Sequence, residues 1–317
     1  MPLAHASTNL HRLSVNARFG LNISAKFQSA ATGPRTAIGA ATSGANHEYD
    51  DGFVRVDRTG NTGGTTWFWG YSEPAQVTGN SIAFHSLSAT ADGSSGEVDS
   101  DPQYGLELVY QRQLGRLGAR LRWGVEAGLG WAPLSIQDRG DLRGGVEEIT
   151  DTYAFQPGTT PPAAPYAGTF NGPGFLLFDT PTRSAAPVAG ATLGGSREFE
   201  ADLFALRLGP GLEWEVGRHG LLGVSGGLAI GGLQGDYTWT QQLPGGGGSG
   251  GSGSDSDFLV GGYVGATFTW AFDEQWSAQV GAQFMTLGDY SHTYEGARVE
   301  LDLSRMLWIS AGLGYSF

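Results

Sequence analysis

The chain has 317 residues, no cysteine, 53 glycines and a formal net charge of −13. Without cysteine there is no disulfide framework and no thiol chemistry, a composition that suits export through an oxidising compartment. The acidic balance argues against a nucleic-acid partner, because phosphate binding needs a basic surface. No run of about eighteen apolar residues occurs, so no transmembrane helix is encoded. Membrane-crossing strands escape that test, since only alternate residues of such a strand meet lipid.

Residues 1–11 read as a disordered tail. Ala4-His5-Ala6 within it matches the small-residue pattern of a signal-peptidase site, without the charged and apolar regions that should precede it. Alternation starts at Leu13 and runs through Val15, Ala17, Phe19, Leu21, Ile23, Ala25 and Phe27, which predicts a first strand. Trp67, Trp69 and Tyr71 predict a second, and Asn80–Ser88 a poorly patterned third. Tyr104, Leu106, Leu108 and Tyr110 give a fourth. After the short turn 114–118, the residues Leu121, Trp123, Val125, Ala127, Leu129 and Trp131 give a fifth.

Residues 133–197 hold eight of the fourteen prolines and read as a long external loop, because central strands exclude proline. The loop carries one apolar patch, Phe175, Leu176, Leu177 and Phe178, which should not sit bare in water. It is expected to tuck inward as a constriction or to dock on an external partner. Phe204 to Val216 and Leu222 to Ile230 predict strands six and seven around the turn 217–220. The segment 243–257, LPGGGGSGGSGSDSD, reads as a flexible tip or an inserted linker. Phe258 to Phe272 and Trp276 to Phe284 predict strands eight and nine.

The last strand is the clearest. Val299, Leu301, Leu303, Leu307, Ile309, Ala311, Leu313, Tyr315 and Phe317 alternate with polar or small residues, broken only by Arg305. Soluble strands average about five or six residues, whereas a tilted membrane-spanning strand needs roughly nine to eleven. The aromatic ending Tyr315-Ser316-Phe317 resembles the C-terminal assembly signal of bacterial outer-membrane β-barrels, the small OmpA-like class. The resemblance implies a location in the outer membrane, contact with outer-membrane lipid and lipopolysaccharide, and handling by the barrel assembly machinery.

The expected fold is therefore all-β: a closed antiparallel up-and-down transmembrane barrel over residues 12–317, with ten strands, or eight or twelve. Short turns at 114–118, 217–220 and 273–275 are placed on the periplasmic side, with 29–65, 89–101, 133–197, 238–257 and 287–297 outside. Trp123, Trp214, Trp270, Trp276, Tyr315 and Phe317 form one aromatic girdle. Trp131, Trp239 and Tyr290 mark the other, near which Arg305 is expected to snorkel to headgroups.

By parity, Arg18, Glu107, Arg120, Arg122, Glu126, Arg207, Glu213 and Glu215 point into the lumen. Buried charges must be paired, so a plug of ion pairs is expected, with a selectivity ring as the alternative. Ten-stranded barrels include surface proteases with acidic and histidine residues at the outer rim. His47, Asp50, Asp51, His85 and His292 are candidates of that type, although that family's motifs are missing. His85 and Ser86 point to opposite faces of a strand and cannot bond directly. The acidic tips Glu97–Asp101, Asp255–Asp257 and Glu48–Asp51 read as solvated loops, since no cation-binding spacing is present. The reading is a structural or surface-interacting barrel, with no enzymatic activity, cofactor or metal. A small-solute channel is the alternative, and a surface hydrolase is third.

Overall fold

The computed structural model describes residues 10–32 and 46–317, so the signal-peptidase pattern lies outside the described residues. His11, expected in the tail, is already the first residue of a strand. Eight long strands form the main ladder: β1 (His11–Leu21), β2 (Gln103–Arg116), β3 (Leu121–Asp138), β4 (Thr192–Val216), β5 (Gly220–Gln242), β6 (Gly248–Ala271), β7 (Trp276–Thr286) and β8 (Met306–Ser316). Each pairs antiparallel with the next in sequence, and β8 pairs with β1. The pairings thus run round a ring of eight, not ten. His11 and Phe317 exchange backbone hydrogen bonds at the end that carries the short turns.

The two missing strands belong elsewhere. Trp69 and Tyr71 are buried with Ile82 and Phe84 in a small lobe formed by residues 46–89 and 146–188. Their side chains have protein on the far side, so the apolar face that looked lipid-directed is spent on a private core. Tyr49, Val54, Tyr153, Phe155 and Leu177 complete that core.

The 133–197 segment is also corrected. Its first residues finish β3 and its last begin β4, with Pro133 opposite Asp202. Proline is tolerated there because β3 has left β2 two residues earlier, at Trp131, so Pro133 needs no donor on that edge. Between them the chain forms lobe strands, Val146–Ala154 paired with both Ser81–Ala89 and Thr182–Pro187. The Gly/Ser stretch is likewise no loop: Gly248–Asp257 pairs in unbroken register with Leu233–Gln242, leaving 243–247 as the tip. Glycine is required on its inner face, since a Cβ at Gly253 would stand 2.6 Å from the Tyr294 ring.

β4, β5 and β6 run for 25, 23 and 24 residues. Along them the outward positions turn polar at Asp202, Gln234 and Ser256, where the apolar exterior stops. On the other side of the ring the chain solves the same problem by changing face. The strands β1, β8 and β7 break and continue as Ser24–Gln28, Ala297–Asp302 and Asp289–Tyr294. In β1, Val15 is 58% exposed while Phe27, of the same parity, is 0% exposed. Likewise Ile309 and Leu313 face out, but Val299, Leu301 and Leu303 are buried. Asn22 (φ 59) and Gly288 (φ 80) make two of the breaks, and a turn at Ser304–Arg305 makes the third. Arg305 is exposed in that turn, at the level where the greasy face changes sides. An apolar face can meet lipid only within the membrane; above it, the same residues must turn inward or face water.

Candidate functional site

Inside the ring, the half near the short turns is ionic. Arg207 donates to Glu107 at 2.8 Å and also to Glu126, and all three side chains are buried. Arg18 approaches Glu107 at 3.4 Å. Gln111 and Ser225 donate to Glu126 at 2.7 and 2.9 Å. Nearer the mouth, Arg122 Nε donates to Glu215 at 2.7 Å, and Glu213 binds Arg12, a partner that sequence reasoning missed. Arg12 shares the inward parity of Ser14, Asn16 and Arg18, and that signal was available. Arg120 is the exception: it lies exposed in the turn after β2 and does not enter the lumen.

The other half of the interior is apolar. Ala132, Leu134, Ile136, Leu203, Leu259, Met285, Leu287, Leu303 and Met306 form one buried cluster with Trp239 and Tyr290. Those last two were expected in the outer girdle. Trp239 is odd in a strand whose odd residues face in, and its Nε1 donates to the Tyr294 carbonyl at 3.2 Å. The remaining girdle residues face out: Trp123, Trp131, Trp214, Trp270, Trp276 and Phe317 are all exposed, and Tyr315 packs against Trp276 at 5.1 Å. Trp131 Nε1 donates to Asp202 at 2.9 Å, so ring and carboxylate share the polar boundary.

The lobe is held by its own buried network. Asp151, 0% exposed, accepts from Arg183 Nε and Nη2 at 2.8 and 2.7 Å and from the Tyr49 hydroxyl at 2.8 Å. Burial, then the neighbouring hydroxyl, pushes the Tyr49 hydroxyl far above its ordinary value, and burial raises Tyr153 as well. The hydrogen bonds to Asp151 raise Arg183 further. Both phenols therefore stay neutral donors across the physiological range. The 175–178 patch is neither a constriction in the lumen nor wholly bare. Leu177 is buried in the lobe core with Phe175 packed against it, while Leu176 and Phe178 face out, 45% and 42% exposed. A second aromatic row has half-buried Phe53 and Phe68 and exposed Phe170 in edge-to-face contact, with the Arg55 guanidinium 4.5 Å over Phe53.

Two of the rim histidines meet carboxylates. His85 Nδ1 lies 2.6 Å from Asp51 Oδ2, and its backbone N–H donates to Asp51 Oδ1 at 2.8 Å. His292 Nδ1 lies 2.8 Å from Asp255 Oδ2, which also accepts from the Tyr290 hydroxyl at 3.2 Å. His47 is buried against Tyr153, and Asp50 caps the Leu87 N–H at 2.9 Å. Ser86 points away from His85 into the interior, as its parity requires. Among the described residues no group of three or more His, Asp or Glu is placed to hold a metal.

No family model matches the sequence, and no curated protein matches it. Solved structures similar to the chain include the outer membrane protease OmpT from Escherichia coli, 10% identical over 100% of this chain and 99% of that one, with a TM-score of 0.39. The outer membrane protein OprG from Pseudomonas aeruginosa is 10% identical over 98% and 97%, TM-score 0.34. The attachment invasion locus protein Ail of Yersinia pestis is 7% identical over 97% and 99%, TM-score 0.28. Superpositions this loose carry no argument about role. The ring of antiparallel pairings and its apolar exterior, bounded by aromatic side chains, carry the class.

Proposed function

We propose that this outer-membrane β-barrel is a closed, eight-stranded anchor that holds a folded lobe outside the cell for contact with an external partner, and that it passes no solute. The short turns face the periplasm. Outer-membrane lipid covers the apolar belt, lipopolysaccharide surrounds the polar wall above it, and the barrel assembly machinery inserts the chain through its aromatic end. The observation that carries this reading is the filled interior: an ionic floor of Arg207, Glu107 and Glu126 beneath an apolar roof of Leu259, Met285 and Met306. An eight-stranded barrel is narrow enough for side chains to fill it. Exposed Leu176, Phe178 and Phe170 give the lobe a contact surface. Planar-bilayer recording of the refolded protein tests it: no steps are expected, and stable ohmic steps overturn the closed barrel.

A second reading, a surface hydrolase, is favoured by the two His–Asp pairs. Neither has a hydroxyl nucleophile bonded to its histidine, so the histidine would act as a general base on water. Cleavage of a fluorogenic peptide by the refolded protein, lost in His292→Ala or His85→Ala, would establish it.

A further inference from the structure

Between the ionic floor and the apolar roof lies one layer of inner-wall side chains that neither explains. Arg18 (β1), Tyr263 (β6), Gln283 (β7) and Trp308 (β8) all face inward, exposed by 5%, 5%, 9% and 2%. Arg18 Nη2, the Tyr263 hydroxyl, Gln283 Nε2 and Trp308 Nε1 are buried and have no hydrogen-bond partner among the described residues. Their order round the wall is continuous. Gln283 stands directly across the ladder from Trp308. The Arg18 guanidinium lies 4.3 Å over the Trp308 ring. Arg18 and Arg207 share Glu107, and Arg207 lies 5.0 Å over Tyr263. Tyr263 and Gln283 then close the circuit across adjacent strands, two positions apart in register. Gly130 and Gly128 make room for the two arginines, since a Cβ at either would stand 2.6 Å from a guanidinium nitrogen.

Four buried donors left unpaired at one level are costly, because each has lost its water without gaining a partner. All four can donate, and Arg18 Nη2 and Trp308 Nε1 can do nothing else, while the Tyr263 hydroxyl and the Gln283 amide oxygen can also accept. The carboxylate on the belt, Glu107, is already divided between two arginines. Water placed here would have to donate as well as accept, whereas Arg18 Nη2 and Trp308 Nε1 can only donate. An anion accepts from every side. We infer that this layer is a binding site for a small monovalent inorganic anion of the halide class. Arg18 supplies the charge, while the Trp308, Gln283 and Tyr263 donors replace the hydration shell. The site is independent of what the lobe contacts.

The test uses the full chain, crystallised from bromide, with anomalous diffraction at the bromine edge. An anomalous peak inside the barrel within hydrogen-bond reach of Arg18 Nη2 and Trp308 Nε1 is expected, and it should vanish in Tyr263→Phe/Gln283→Leu. In parallel, the urea midpoint of the refolded protein at fixed ionic strength should rise saturably when gluconate is exchanged for bromide, by tenths of a molar or more. The rise should disappear in the double variant, whose midpoint in gluconate reports any plain loss of stability. Water alone at the site, or midpoints equal in the two salts, overturns the proposal.

Discussion

Arg207 is the most exacting place to test the filled interior. Among the described residues its guanidinium is the only cation bonded to Glu126, and it holds Glu107 at 2.8 Å, whereas Arg18 reaches Glu107 only at 3.4 Å. Arg207→Met removes both contacts and leaves two buried carboxylates, one supported only by Gln111 and Ser225. Breaking a buried pair by removing one partner costs about 3–5 kcal/mol, because the remaining charge is stranded away from water. Replacing Arg18, Glu107, Glu126 and Arg207 together by Leu or Met removes every stranded charge, and such swaps are often neutral or stabilising by about 1–4 kcal/mol. The expected order of stability is therefore wild type close to the quadruple variant, with Arg207→Met well below both. Urea unfolding in lipid vesicles, followed by tryptophan fluorescence, reads all three. A loss under about 1 kcal/mol for Arg207→Met would show that the carboxylates are solvated. The lumen would then be wet and the closed reading wrong.

Trp69→Ala should unfold the lobe and spare the barrel. Trp69 is 0% exposed and its Nε1 donates to the Phe175 carbonyl at 2.7 Å, so the loss should be about 3–5 kcal/mol. Trypsin should then cut at Arg183 while the barrel keeps its heat-modifiable gel mobility. Gly288→Val forces a β-branched residue to φ 80 at a face change and should cost about 1–3 kcal/mol, read as slower or incomplete insertion into vesicles. Burial alone would raise the Asp57 carboxyl, but hydrogen bonds from Thr59, Trp67 and Asn61 outweigh it and hold it below the ordinary range. A depressed folded value stabilises above the unfolded value of about 3.9 and is lost as pH falls through the folded one. Lobe protection against pepsin should therefore weaken below about pH 4, and Asp57→Asn should flatten that dependence.

The strand pattern was legible wherever one face met lipid along a whole strand, as in β3, where Trp123 to Trp131 alternate with Arg122 to Gly130. Parity put Arg18, Glu107, Glu126 and Arg207 among eight inward charges, but which of them meet was not legible. Parity failed for Arg120, because the turn occupies 117–120, later than the expected 114–118, and the strand starts only at Leu121. The lobe was illegible. Its strands are short, and Trp67, Phe68 and Trp69 are apolar in succession, so no period separates an inner face from an outer one. Gly248–Asp257 misled for another reason: composition reports flexibility in a free chain, whereas here the aromatic rings of Trp239 and Tyr294 occupy the space that side chains would need.

The closing strand shows why alternation by itself cannot fix the membrane boundary. Val299 to Phe317 reads as one oily face, and no residue in it states that Leu301 is buried by protein while Ile309 is exposed to lipid. The boundary is set by the break at Ser304–Arg305, where the strand loses its ladder for three residues, 303–305, and resumes with its faces exchanged. β4 to β6 need no such break, because Asp202, Gln234 and Ser256 turn their outward face polar at the same level. Water above the membrane thus leaves two solutions: change the side chains or change the side. A Gly, an Asn at positive φ or a charged turn residue inside a long alternating run is the mark of the second. The sequence carries such a residue at each break: Asn22, Gly288 and Arg305.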